Sequence, residues 1–149
     1  MFYYFAYGSN LDRDQMRERC PDARAADVAF LDGWQIAFGG HSPRWEGPPA
    51  TIIEQTDATV PGLLYEISWR ELEILDDYEG HPDRYVRHEM EVVDRYGNME
   101  VAQVYIKSID PPGLVPPADY LGVIRQAYRR LGFDLEALES AVARAQDPS

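Results

Sequence analysis

Two short stretches of the chain hold residue types that can do chemistry. In Tyr3-Tyr4-Phe5-Ala6-Tyr7-Gly8-Ser9-Asn10-Leu11 an uncharged, aromatic run breaks off at Gly-Ser-Asn. That composition describes a buried strand delivering a loop, because glycine, serine and asparagine favour turns and helix starts. In such a loop Gly8 can take backbone angles closed to other residues, so that successive amides turn toward one anion or carbonyl oxygen. The positive end of the helix that follows adds to the attraction. By local pattern alone a plain first strand and turn satisfies the same residues. The second stretch is Leu75-Asp76-Asp77-Tyr78-Glu79-Gly80, where an acidic side chain stands at the end of a helical run. A glutamate among twenty-six acidic residues reads, on its own, as a solvated charge.

The other reactive residue types are dispersed. Cys20 is the single cysteine and follows Met16 by four residues, the spacing of one helix face, which suits a small buried hydrophobe rather than a nucleophile. His41, His81 and His88 share no ligand spacing, so no metal is assigned. Trp34 and Trp69 suit the core, while Trp45, between Arg44 and Glu46, can close over a ligand.

The elements that must position these residues follow from turn signals and periodicity. Asp12 with Gln15 reads as a capping pair, with Leu11 and Met16 as a hydrophobic staple, in a helix ending before Pro21. Residues 28–31 and 34–38 are short apolar runs joined by Asp32-Gly33, which predicts a tight hairpin between two antiparallel strands. Residues 39–49 hold three glycines and three prolines and form an irregular loop of a length that often serves a site. Residues 50–54 and 62–67 are β-branched runs suited to central strands. Ser68 with Glu71 opens a helix by the capping box, and Gly80 followed by Pro82 ends it, so Glu79 sits at a helix exit. Residues 85–93 and 99–107 form a hairpin turning near Tyr96-Gly97-Asn98, with one face wet. A rigid proline-rich crossing at 110–117 precedes a helix over 118–131, with Gly132 capping it. Asp134 opens a last helix, and residues 147–149 should fray. Seven short strands with a few helices make an α+β protein, and 149 residues suit a single domain over the whole length.

Composition excludes some function classes. Twenty-six acidic against fourteen basic residues give a net charge of −12, which repels a nucleic-acid backbone. No apolar run approaches a membrane span, and a lone cysteine fits a reducing compartment, so a cytoplasmic protein with neither membrane nor nucleic acid as partner is expected. A monomer and a homodimer both fit.

The run Tyr4-Phe5-Ala6-Tyr7-Gly8-Ser9-Asn10-Leu11 resembles the signature of the gamma-glutamylcyclotransferase (AIG2-like) family, enzymes that release 5-oxoproline from γ-glutamyl compounds without a cofactor. Pro49-Ala50-Thr51-Ile52-Ile53, Pro61-Gly62-Leu63-Leu64-Tyr65, Leu75-Asp76-Asp77-Tyr78-Glu79-Gly80 and Tyr85-Val86 resemble later family blocks, in order. The resemblance implies a small mixed β-barrel with flanking helices, a small γ-glutamyl substrate and a catalytic glutamate at Glu79. It implies a substrate cradle from Tyr4 through Ser9, that is Tyr4, Phe5, Ala6, Tyr7, Gly8 and Ser9, with Asn10 beside it as a cap or brace. Tyr85 and Tyr120 fall where the family places tyrosines near the substrate, although a packing role suits either.

In that reaction the substrate's own α-amine attacks its γ-carbonyl, so no enzymic nucleophile is needed. The protein must fold the glutamyl chain, carry protons with one carboxylate and stabilise an oxyanion with backbone N–H groups. Aromatic rings around Glu79 are expected to desolvate it and raise its pKa. Asp83-Arg84 ahead of Tyr85 and the 39–49 loop depart from the family pattern and leave the leaving group open. A pathway-specific enzyme removing a γ-glutamyl protecting group remains open, as does a non-catalytic binder. A structural protein is favoured only if no pocket joins Gly8 to Glu79.

Overall fold

The computed structural model describes residues 1–109 and 115–146; most of the predicted crossing at 110–117 and the predicted fraying at 147–149 lie outside them. The chain folds as a closed five-stranded barrel in the order β1-β3-β2-β4-β5, flanked by four helices. β1 (Phe2–Ala6) runs antiparallel to β3 (Ala50–Ile67), and parallel pairing of Tyr4 with Gln103 of β5 (Met99–Ile106) closes the barrel. This is the mixed barrel that the motif resemblance implied. Closure removes the free sheet edges that so small a sheet would otherwise expose.

The predicted hairpin at Asp32-Gly33 is absent, and five strands replace the expected seven. β2 (Arg24–Phe38) runs through Asp32-Gly33 as one strand, and β3 is likewise one strand over both of its predicted halves. The two pair from Arg24 opposite Glu66 to Phe38 opposite Ala50. Gly33, at φ 85°, sits at a register shift between Asp32 and Trp34, and the facing residues 55–57 stand out exposed. A glycine with positive φ serves a bulge as well as a turn, and here it bends a long ribbon around the barrel.

Local signals elsewhere produce the expected elements. α1 (Arg13–Arg19) stops before Pro21, with Leu11, Met16 and Cys20 buried. Its cap differs from the expected pair: Asp12 takes the Asp14 amide at 3.2 Å, while Gln15 reaches back to Ser9 Oγ and Asn10 Oδ1. α2 (Trp69–Glu79) has both arms of the Ser68–Glu71 capping box and ends at Gly80, whose φ of 72° a side chain would oppose. β4 (Val86–Asp94) and β5 form the expected hairpin, burying Val92, Ala102 and Val104 and leaving Val86, Met99 and Val101 exposed. α3 (Ala118–Leu131) buries Leu121, Ile124 and Tyr128, and α4 (Glu136–Gln146) packs Leu138 and Val142 inward and ties Arg144 to the Ile36 carbonyl. Enclosed side chains such as Phe5, Leu64 and Ile67 each stabilise the barrel by about 1.5–3 kcal/mol. Trp69 corrects the expectation of a core residue: it is 56 % exposed, its ring lying against Phe2 on the surface. Among the described residues no helix is long and apolar enough to cross a membrane.

Candidate active site

β1 ends at the motif loop, which enters a single 3-10 turn, Ser9–Leu11. Asn10 braces this turn. Its side chain donates to the Tyr4 hydroxyl at 2.9 Å and accepts from Gln15 and from Arg19, while its carbonyl accepts from Tyr65. Gly8 has φ −110° and ψ −136°, a negative φ outside the left-handed region. A Cβ there would meet Ala50 Cβ at 3.5 Å and the Tyr120 hydroxyl at 3.7 Å, which are ordinary contacts.

The loop opens on a cavity of about 400 Å3. Tyr4, Phe5, Tyr7, Gly8, Ser9 and Asn10 form one wall, whereas Ala6, 1 % exposed and paired with Leu63, does not line it. The end of α2 supplies Asp77, Tyr78 and Glu79; Arg84 and Tyr85 follow, and Tyr105, Lys107 and Tyr120 complete the far side. Gly8 and Glu79 therefore face one cavity, and the condition that favoured a structural protein is not met.

Two contacts fasten the 39–49 loop over this cavity. Arg44 lies over the Tyr78 ring at 5.0 Å, with Arg19 on the same ring at 4.7 Å. Trp45, which was expected near a ligand, lines the cavity and packs on Tyr120 with ring centroids 4.8 Å apart. Directly after that loop, Ala50 is held twice. Its N–H donates to the Tyr120 hydroxyl at 2.7 Å, and its carbonyl accepts from Tyr85 at 2.5 Å. The Tyr7 hydroxyl donates to the Tyr105 carbonyl.

Glu79 is half-buried in this ring of tyrosines, and burial pushes its carboxyl up to about 7 against the pull of Arg19, Arg84 and Arg44. That is the direction the aromatic surroundings predicted. Burial, with the Glu79 charge as a further cause, keeps the hydroxyls of Tyr4, Tyr7, Tyr85 and Tyr120 protonated. Cys20 lies outside the cavity, and burial raises its thiol to about 11. Among the described residues no group of three or more His, Cys, Asp or Glu is placed to hold a metal ion.

Residues that sequence reasoning missed are chiefly the cations. Arg19, Arg44, Arg84 and Lys107 all line the cavity. They come from four separate elements and share no spacing, so only the fold assembles them. Arg84 had a partial signal, as a departure from the family pattern.

The chain belongs to the gamma-glutamyl cyclotransferase, AIG2-like family, whose model matches residues 4–121. It is 30 % identical to a human gamma-glutamylcyclotransferase over 147 residues, covering 95 % of this chain and 78 % of that protein. The mouse gamma-glutamylcyclotransferase is 31 % identical with the same coverage. A solved gamma-glutamyl cyclotransferase structure superposes with a TM-score of 0.84 at 29 % identity, over 94 % of this chain and 85 % of that one. With this membership the chain stands as an enzyme of the cyclotransferase type.

Proposed function

We propose that the protein converts a γ-glutamyl compound into 5-oxoproline and a free amine or amino acid, with Glu79 carrying the protons. The substrate's α-amine nitrogen attacks the γ-carbonyl carbon, and the bond from that carbon to the leaving nitrogen then breaks. Overall the ring nitrogen gives up two protons and the leaving nitrogen gains two. A single carboxylate that passes them one at a time ends as it began. A carboxyl near 7 lies closer to the ammonium it must deprotonate than an ordinary glutamate does. The amides of Gly8 and Ser9 stand at the start of the 3-10 turn, ahead of its first internal bond from Leu11 to the Gly8 carbonyl. They are the donors for the oxyanion. The scheme uses only groups of the substrate and of this chain.

The observation that carries the reading is Glu79, half-buried in the same cavity as the Gly8-Ser9 turn. Tyr4, Tyr7, Tyr85 and Tyr120 enclose the glutamyl chain and limit its rotation, which favours the meeting of amine and carbonyl. Purified protein incubated with γ-glutamyl dipeptides, glutathione and γ-glutamyl-amines should yield 5-oxoproline by mass spectrometry, and Glu79→Gln should not. A folded Glu79→Gln protein with wild-type release would remove Glu79 from the mechanism.

A further inference from the structure

The chain carries a net charge of −12, yet its cavity lining holds four cations against the two carboxylates of Asp77 and Glu79. Two of the cations are engaged on the Tyr78 ring, Arg19 and Arg44, and Arg19 also bonds Asn10. Arg84 and Lys107 are placed differently. Arg84 is exposed at the cavity mouth and lies across Gly80, next to Glu79, so closely that a Gly80 Cβ would fall 2.5 Å from its Nε. Lys107 stands 5.9 Å from the centre of the Tyr85 ring. Its backbone is fixed through both polar groups, the N–H donating to Thr51 Oγ1 at 2.9 Å and the carbonyl accepting from Thr51 at 2.8 Å. It is the only lysine in the chain, beside thirteen arginines.

Among the described residues neither Arg84 nor Lys107 has a carboxylate within ion-pair distance. Burial and the nearby Arg84 charge depress the Lys107 ammonium. Two like charges close enough to act on one another therefore line one cavity in an acidic protein, where an incoming anion restores the balance. The glutamyl half of a substrate must bring its amine and γ-carbonyl to Glu79 and the Gly8-Ser9 turn. The leaving amine then extends toward the mouth.

We infer that Arg84 and Lys107 form a subsite for negative charge on the leaving group, and that the enzyme favours a leaving amine bearing two carboxylates, an acidic amino acid, over one bearing one or none. The guanidinium pairs with one carboxylate through two parallel N–H bonds, and the ammonium meets the other as a point charge. This rests on the cyclotransferase reading and names the substrate class for it.

The test compares kcat/KM for γ-glutamyl-glutamate, γ-glutamyl-alanine and γ-glutamyl-ethylamide in the wild-type protein, Arg84→Gln, Lys107→Gln and Lys107→Arg. Efficiency should fall about tenfold for each carboxylate removed, and the preference should shrink as salt is added. The ratio of γ-glutamyl-glutamate to γ-glutamyl-ethylamide should drop about tenfold in each glutamine variant and persist in Lys107→Arg. Taking the ratio within one variant cancels the change in Glu79 acidity that removing Arg84 brings. Equal efficiencies across the three substrates, or an unchanged ratio in both glutamine variants, would overturn the subsite. Silence on all three substrates would refute the cyclotransferase reading instead. Calorimetry then decides the subsite separately: preferential binding of γ-glutamyl-glutamate that the glutamine variants lose sustains it, and equal or absent binding overturns it.

Discussion

A Glu79→Gln variant should be more stable than the wild-type protein above neutral pH and should lose that advantage in acid. The folded carboxyl titrates near 7, against 4.5 for the same group in an unfolded chain. At about 1.4 kcal/mol per pKa unit, the fold disfavours the ionised form by up to about 3 kcal/mol, an upper figure because solvent in the cavity screens the charge. The sign follows from linkage. Below 4.5 the side chain is protonated in both states and costs nothing; as pH rises from there through 7, the unfolded chain ionises first and the folded protein loses stability. Glutamine does not titrate, so the gap between variant and wild type should widen by about 2 kcal/mol between pH 5.5 and 8.5. For a domain of this size that is roughly 4–8 °C in Tm. Urea titrations and thermal melts of both proteins at the two pH values measure it. A difference in stability that stays constant with pH would show that the carboxyl titrates normally, and the proton-carrier argument would lose its electrostatic basis.

Other perturbations test the same site. On the proposed mechanism deprotonation of the substrate ammonium needs ionised Glu79, so kcat/KM should rise with pH through about 7. Arg19→Met should move that midpoint upward, since Arg19 is the largest of the charges holding Glu79 down; Asn10 keeps its 2.9 Å bond from Gln15, so the loop should stay in place. An unmoved midpoint in a pH–rate profile would separate Arg19 from Glu79. Gly62→Ala should destabilise the protein by about 1–3 kcal/mol and lower activity, because the new Cβ would stand 2.5 Å from the Ala6 carbonyl and from the Phe5 ring, pushing on the strand that delivers the motif loop. Chemical denaturation alongside the 5-oxoproline assay checks both effects, and wild-type behaviour in either would show that β1 has more room than this packing allows.

Ser68, Glu71 and Gly80 together place Glu79 at a helix exit from sequence alone, because caps are local chemistry written within a few residues. The aromatic strand ending at Gly8 was legible for the same reason. Asp32-Gly33 misled because a turn and a bulge use the same glycine, and only the partner strand decides between them; β3 runs beside both halves of β2, so the ribbon bends instead of reversing. Trp69 lies outside the core because it is the first residue of α2, where its ring lies against Phe2 and stays more than half exposed. The four cavity cations were beyond reach, since their meeting depends on barrel closure, on the cover formed by the 39–49 loop and on the end of α2. Tyr85 and Tyr120 stood in the sequence only as family positions, and their shared hold on Ala50 has no local signature.

The hydrogen bonds around the cavity also sort its tyrosines by polarity. A carbonyl can only accept, so Tyr7 and Tyr85 have already given their protons, to Tyr105 and Ala50. An N–H can only donate, so Tyr4 and Tyr120, which accept from Asn10 and Ala50, each keep a proton to give. The pocket thus offers two hydroxyls that can hand a hydrogen bond outward and two that offer only lone pairs. A free α-amino acid head group presents a carboxylate, which needs donors, beside an ammonium, which needs acceptors. Bonds to the Asn10 side chain and to the main chain hold both complements ready in the same small space, so on the proposed reading a γ-glutamyl group that lacks either charge leaves one pair of tyrosines without a partner.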